Sequence, residues 1–211
     1  MGDVDYREIL SKIQAQGELS APTTEVERIV IEDAMCCTVL IAEENISEQR
    51  SMWQNSALAH DMLRYASLLP DDEESRMLIG RCVERMGDCI VEHPRLSIAL
   101  MEQLIRVGID TDELRERLAT YKHNVACADS GRMDDIRYGG SYSLKYDPVE
   151  WTERWEEVID DVNREVEELL EGSHRGMGFC HLAWQTRCKI LKKYGVEWRS
   201  PAVMNPRVMF D

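Results

Sequence analysis

A chain of 211 residues with 44% apolar and 31% charged side chains is long enough to bury a hydrophobic core and too apolar to be disordered. Its formal net charge of −15 makes most of the surface repel nucleic acid and anionic membranes. No apolar stretch has the length of a membrane span, and the charged start Met-Gly-Asp-Val-Asp-Tyr-Arg-Glu lacks the apolar segment of a secretory signal.

Apolar residues recur at helical spacing near the start of the chain and predict two helices there. The first covers residues 3–16. The second begins at a capping box of Thr24 and Glu27 and continues to about Glu44. Over residues 29–41 the apolar side chains surround the second helix almost completely, which is typical of a central helix.

Four further helices are predicted up to residue 127, each from a start signal followed by an apolar stripe. Ser47 is the expected cap of the third helix. The acidic run 71–74 suits the positive end of the fourth, and Pro94 fits the first turn of the fifth. Asp110 and Glu113 form a second predicted capping box, which opens the sixth helix.

Residues 128–147 differ from everything before them, because they have no helical period and are rich in Gly, Ser and Tyr. We expect either a long loop or a small β-hairpin that turns at Gly139 and Gly140. Loops of this length inside a compact domain tend to be functional or disordered. Tyr138 and Tyr142 flank the two glycines, and tyrosine is enriched in binding surfaces.

The last third of the chain predicts two helices of opposite charge and a tail. Asp147 is the predicted cap of a strongly amphipathic helix over residues 148–171, whose ten acidic side chains lie opposite its apolar stripe. A basic helix is predicted over residues 177–194. The tail after it contains two prolines and is expected to lie extended across the helices, because its apolar residues would otherwise be exposed.

These elements predict an all-α fold, a bundle of seven to eight helices with one loop or hairpin excursion at about 128–147. The predicted organisation is a helical bundle over residues 1–127, the excursion, and a helical hairpin with an extended C-terminal tail over residues 148–211. We expect the parts to pack together as one domain.

Seven cysteines, two of them adjacent at Cys36 and Cys37, are typical of buried free thiols and not of a disulfide framework. We therefore expect a cytoplasmic protein. The sequence contains neither paired Cys-x-x-Cys knuckles nor a phosphate-binding glycine loop, a nucleophile elbow or a dinucleotide fingerprint. We predict no metal and no cofactor.

Glu32 and Asp33 interrupt the otherwise apolar second helix. Carboxylates on a central helix are costly unless they are paired, so they indicate either an ion pair with an arginine or a catalytic or metal site. We favour the ion pair. The alternative is a small metal-dependent phosphohydrolase that acts on nucleotides through clustered carboxylates, with Glu32, Asp33 and Asp160 as its catalytic residues.

The preferred function is a non-enzymatic acidic protein that binds a protein partner with a basic surface, for example as an inhibitor of a nucleic-acid-binding site. It would bind neither nucleic acid nor membrane directly, and homo-oligomerisation is left open. The predicted binding residues lie in the excursion and on the acidic helix after it: Tyr138, Gly139, Gly140, Tyr142, Glu153, Glu156, Glu157, Asp160 and Asp161.

Overall fold

A computed structural model of the chain describes residues 4–139 and 144–210. In these residues all regular structure is helical and strands are absent, which confirms the predicted all-α class. None of the described helices is long and apolar enough to cross a bilayer. The helices are α1 Tyr6–Ala15, α2 Glu25–Glu48, α3 Asn55–Leu68, α4 Glu73–Cys89, α5 Pro94–Arg106, α6 Asp112–Asp129, α7 Glu153–Leu169, α8 Phe179–Lys193 and α9 Pro201–Met204. Short 3-10 turns lie at Met52–Gln54, Met133–Asp135 and Pro148–Trp151.

The chain divides into two compact units, and the division is not linear in sequence. The first unit consists of Met1–Val91 and Leu96–Arg115, and the second of Glu92–Arg95 and Glu116–Asp211. The first unit carries most of the net negative charge, because the basic α8 offsets much of the acidic α7 within the second.

The core of the first unit is built around α2, which contacts α1, α3 and α4. Its buried side chains include Ile31, Met35, Val39 and Ala42, whereas Ile29, Asp33 and Glu44 are exposed. The central position predicted from the apolar residues around α2 is thus its position within the first unit. One buried amide, that of Asn55, links the C-terminal ends of α2 and α4 by donating to the carbonyl oxygens of Ala42 and Cys89.

The predicted helix starts were correct in some places and wrong in others. The capping box at Thr24 is present. Ser47 caps nothing, because α2 continues through it to Glu48 and α3 begins only at Asn55, after a 3-10 turn. The side chain at the start of α6 that accepts a backbone N–H is that of Thr111, at 3.2 Å from Leu114 N, while Asp110 pairs with Arg115.

In the second unit α7 packs on α8 around a small core that contains Trp155, Ile159 and Leu191. The tail was predicted to be extended, but Pro201 starts the single helical turn α9 within it. Proline suits the first position of a helix, where its missing N–H has no partner to lose. The Trp198 ring lies 6.1 Å from that of Trp155.

Candidate functional site

The acidic helix α7 begins five residues later than the sequence predicts. Asp147 and Glu150 form a capping box around the 3-10 turn Pro148–Trp151. The Thr152 hydroxyl then accepts the backbone N–H of Trp155 at 3.2 Å and starts α7. Trp155 and the buried stripe that follows it determine which carboxylates face inward and which face solvent.

Two of the predicted binding carboxylates lie on the inner side of α7, against the segment 92–95. Glu156 accepts hydrogen bonds from the backbone N–H of Arg95 at 2.8 Å and from its guanidinium at 3.1 Å, and only 14% of the Glu156 side chain is exposed. Asp160 lies 2.9 Å from Nε2 of His93, which is buried. Both acids are therefore part of the internal packing of the second unit.

Burial of the His93 imidazole opposes its protonation, but the hydrogen bond and the negative charge of Asp160 outweigh burial and raise the pKa of His93 above its usual value. Glu156 and Glu92 add to the same effect. The raised pKa favours the protonated imidazole, and the resulting ion pair ties α7 to the segment 92–95 in the second unit.

Four other carboxylates of α7 form an outer row, the acidic ridge, which we define as Glu153, Glu157, Asp161 and Glu168. Their spacing of four and seven residues places them on one side of α7, and each is exposed. Arg154 pairs with Glu157 at 2.9 Å, and Arg164 pairs with Asp161 at 2.9 Å. Exposed pairs of this kind contribute only about 0–1 kcal/mol, so a basic partner can displace these arginines at little cost.

Beneath α7 lies a polar network that the sequence did not predict. The carboxylate of Glu92 binds the guanidinium of Arg187 and accepts a hydrogen bond of 2.9 Å from the Asn163 amide. The Asn163 carbonyl oxygen accepts in turn from Arg187 at 2.6 Å, which closes the ring of contacts. The backbone carbonyl of Glu92 also accepts the Trp155 indole N–H at 3.0 Å.

Glu92 adopts a left-handed backbone conformation, with φ of 69°. This region is uncommon for a residue with a side chain, and a residue held there is stabilised by its surroundings. Here the carboxylate and the carbonyl of the same residue are both bound within the second unit. The contacts with Arg187 and Trp155 provide that stabilisation.

Next to this network lies the carboxyl group of Glu150, whose side chain is largely but not fully buried. It accepts the Trp198 indole N–H at 2.6 Å and the backbone N–H of Asp147 at 3.3 Å. Burial raises the pKa of Glu150 to about 7, and the charge of Glu92 adds to the shift. The Trp198 bond and the charge of Arg187 act in the opposite direction without cancelling it.

Only part of the predicted tyrosine surface lies in the described residues. Tyr138 is half-buried and packs against the small cluster of Cys127, Ala128 and Ile136, and Lys145 lies 5.9 Å from the centre of its ring. Gly139 is exposed. Gly140 and Tyr142, and with them the predicted hairpin turn, lie outside the described residues.

Glu32 and Asp33, which were predicted as a pair, have different surroundings. Glu32 forms an ion pair of 2.8 Å with Arg28, which also reaches Asp72 and Glu74. Asp33 is exposed. Both acids belong to the first unit and Asp160 to the second, so the three candidate catalytic residues of the alternative hypothesis are not within one unit.

Within residues 4–139 and 144–210, no group of three or more His, Cys, Asp or Glu side chains is arranged to hold a metal ion. Comparison of the chain with protein-family models, with curated proteins and with solved structures finds no match.

Proposed function

We propose that this chain is an acidic protein-binding protein of the cytoplasm, and that the acidic ridge of α7 is its contact surface for a partner with a basic site. The observation that carries the proposal is the sorting of the α7 carboxylates. Glu156 and Asp160 are bound internally by Arg95 and His93. The ridge acids face solvent, and their partners among the described residues are Arg154 and Arg164, whose side chains are about half exposed.

The net charge of the chain and the rigidity of α7 both support this role. The net charge of −15 attracts a cationic partner over a distance and increases the rate of encounter. At contact, the rigid helix presents the ridge carboxylates at fixed spacing, so that little conformational entropy is lost when they bind. A nucleic-acid-binding protein, whose own site is basic, fits this description, and the chain would then act as its inhibitor.

A charge-matched comparison tests the proposal. The ridge variant replaces Glu153→Gln, Glu157→Gln and Asp161→Asn. The control variant removes three exposed acids of the first unit, Glu18→Gln, Glu48→Gln and Glu84→Gln, and therefore has the same net charge. Partners are captured from lysate with the unmodified chain, identified, and purified for binding measurements with both variants.

We expect a basic partner whose affinity falls at least about tenfold with the ridge variant and little with the control, and whose binding weakens as salt rises. Equal losses in both variants would show that overall charge, and not the ridge, is recognised. Magnesium-dependent nucleotide hydrolysis that is abolished by Asp33→Asn would instead favour the alternative, a metal-dependent phosphohydrolase that uses Glu32, Asp33 and Asp160.

A further inference from the structure

Two cysteine thiols from different helices meet in the first unit. Cys36 of α2 and Cys82 of α4 belong to the same core where these two helices pack, and their thiols interact. The helices run in the same direction here, because Arg28 pairs with Asp72 before this point and Glu43 pairs with Arg85 after it. The two ion pairs flank the thiols and fix the register in which α2 and α4 pack.

The two thiols are not equivalent. Cys82 is 3% exposed, whereas Cys36 is partly open to solvent. The hydrogen bond that Cys82 donates lowers the pKa of Cys36, against the opposing effects of burial and of Asp33, and the charge of Arg85 assists. The same bond, together with burial, raises the pKa of Cys82. The more exposed sulfur is therefore also the better nucleophile.

The other nearby cysteines are less suitable partners for Cys36. Cys37 is adjacent in sequence, but consecutive side chains on a helix point about 100° apart, and burial raises the Cys37 pKa. Cys89 lies further along α4, and its thiol donates to the carbonyl oxygen of Arg85. A disulfide requires two cysteines whose side chains meet, and Cys82 is the cysteine whose thiol interacts with that of Cys36.

We propose that Cys36 and Cys82 form a peroxide-sensitive dithiol site that closes reversibly into a disulfide between α2 and α4. The Cys36 thiolate attacks one oxygen of a hydroperoxide, the O–O bond breaks, and Cys36 becomes a sulfenic acid as hydroxide or alkoxide leaves. The Cys82 sulfur then attacks the Cys36 sulfur, the S–O bond breaks, and the Cys82 proton leaves with the oxygen as water. Two molecules of a small thiol restore both cysteines by exchange.

The wild-type chain contains its own reference thiols. Cys180 and Cys188 of the second unit are also partly exposed, and burial raises the pKa of Cys188. The reduced full-length chain is treated with hydrogen peroxide near neutral pH, alkylated at intervals and mapped by mass spectrometry without reduction. We expect the free thiol of Cys36 to disappear about tenfold faster than that of Cys188. We also expect a peptide that links Cys36 to Cys82 and that disappears on treatment with a reducing thiol.

Two substitutions on α4 test whether the linkage requires Cys82 in particular or forms with any buried thiol of that helix. In Cys82→Ser, Cys36 should stop at the sulfenic acid, which dimedone traps as a stable adduct, and the linked peptide should be absent. Cys89→Ser removes another buried thiol of the same helix and should leave the linkage intact. Oxidation of Cys36 no faster than that of Cys188 would overturn the proposal, as would a linkage of Cys36 to Cys37.

Discussion

The indole Nε1 of Trp198 donates a hydrogen bond of 2.6 Å to Oε1 of Glu150, so a side chain of the C-terminal tail closes over a largely buried carboxyl group. Arg187 lies against the other side of the same indole, at 5.6 Å from the ring centre. Arg187 binds Glu92, however, and Glu150 has no cationic partner of its own among the contacts described. Burial is therefore the dominant influence on the Glu150 pKa.

Glu150→Gln should make the second unit less sensitive to pH. The pKa of Glu150 is raised from 4.5 to about 7 on folding, so the folded state holds a proton that the unfolded state releases. The contribution of Glu150 to the free energy of unfolding is then fully present below pH 4.5. It is lost as pH rises through 7, by at most about 3 kcal/mol. Glutamine keeps the acceptor for Trp198 and removes the titration. Urea unfolding at several pH values measures the slope, and Glu153→Gln should leave it unchanged.

Asp160→Asn should lower the pKa of His93, because the substitution removes the negative charge that outweighs burial. The raised His93 pKa stabilises the folded state below pH 6.5, and this contribution is lost as pH rises through the folded-state pKa. The substitution should therefore cost about 1–2 kcal/mol in mildly acid solution and less in alkaline solution. NMR titration of the imidazole measures the pKa. A His93 pKa that is unchanged would mean that Asp160 does not set it.

Asn55→Ala should destabilise the first unit by about 2–4 kcal/mol. Its buried amide donates to the carbonyl oxygens of Ala42 and Cys89, at 3.3 and 3.2 Å, and accepts from Asn45 at 2.8 Å. With alanine at position 55, the two carbonyl oxygens and the Asn45 amide stay buried and lose their hydrogen bonds to the Asn55 side chain. Ser47→Ala removes an exposed side-chain bond from the same region and should cost less than about 0.5 kcal/mol in the same urea titration.

Deletion of residues 197–211 should lower the melting temperature by several degrees. It removes the contact of Trp198 with Trp155 and leaves the buried Asp147 carboxylate without Arg199, which binds it at 2.8 Å. Arg207→Ala changes an exposed position of the same tail and should leave the melting temperature unaltered. If the deletion also leaves it unaltered, the tail is better explained as a peptide that binds a partner.

Local signals predicted the helices well. The period of apolar residues, the capping box at Thr24 and the proline at position 94 each correspond to an observed element. The errors at Ser47 and Asp110 have one cause: several residues near a helix start have side chains suited to capping. Sequence pattern does not distinguish among them, because the backbone conformation that selects the cap depends on how the helix packs.

The candidate site was less predictable, because its inner half depends on contacts between residues far apart in sequence. A helical wheel drawn over 148–171 correctly separates apolar from acidic residues. It treats all the acids alike, since nothing local indicates that segment 92–95 lies beside Glu156 and Asp160. Arg187 is 95 positions from Glu92 and lies in the predicted helix 177–194, for which the sequence pattern indicates only a basic character.

The segment Glu92–Arg95 belongs to the second unit although the chain on both sides of it belongs to the first. Its four residues provide the acceptor for the Trp155 indole and the partners of Glu156, Asp160 and Arg187. A fragment that begins at Glu116 would retain the tryptophan, both acids and the arginine but lose every one of these partners. A contiguous fragment that contains the whole second unit must therefore also carry Leu96–Arg115 of the first unit. During synthesis the contacts of residues 92–95 with the rest of the second unit must wait until α7 and α8 have been made.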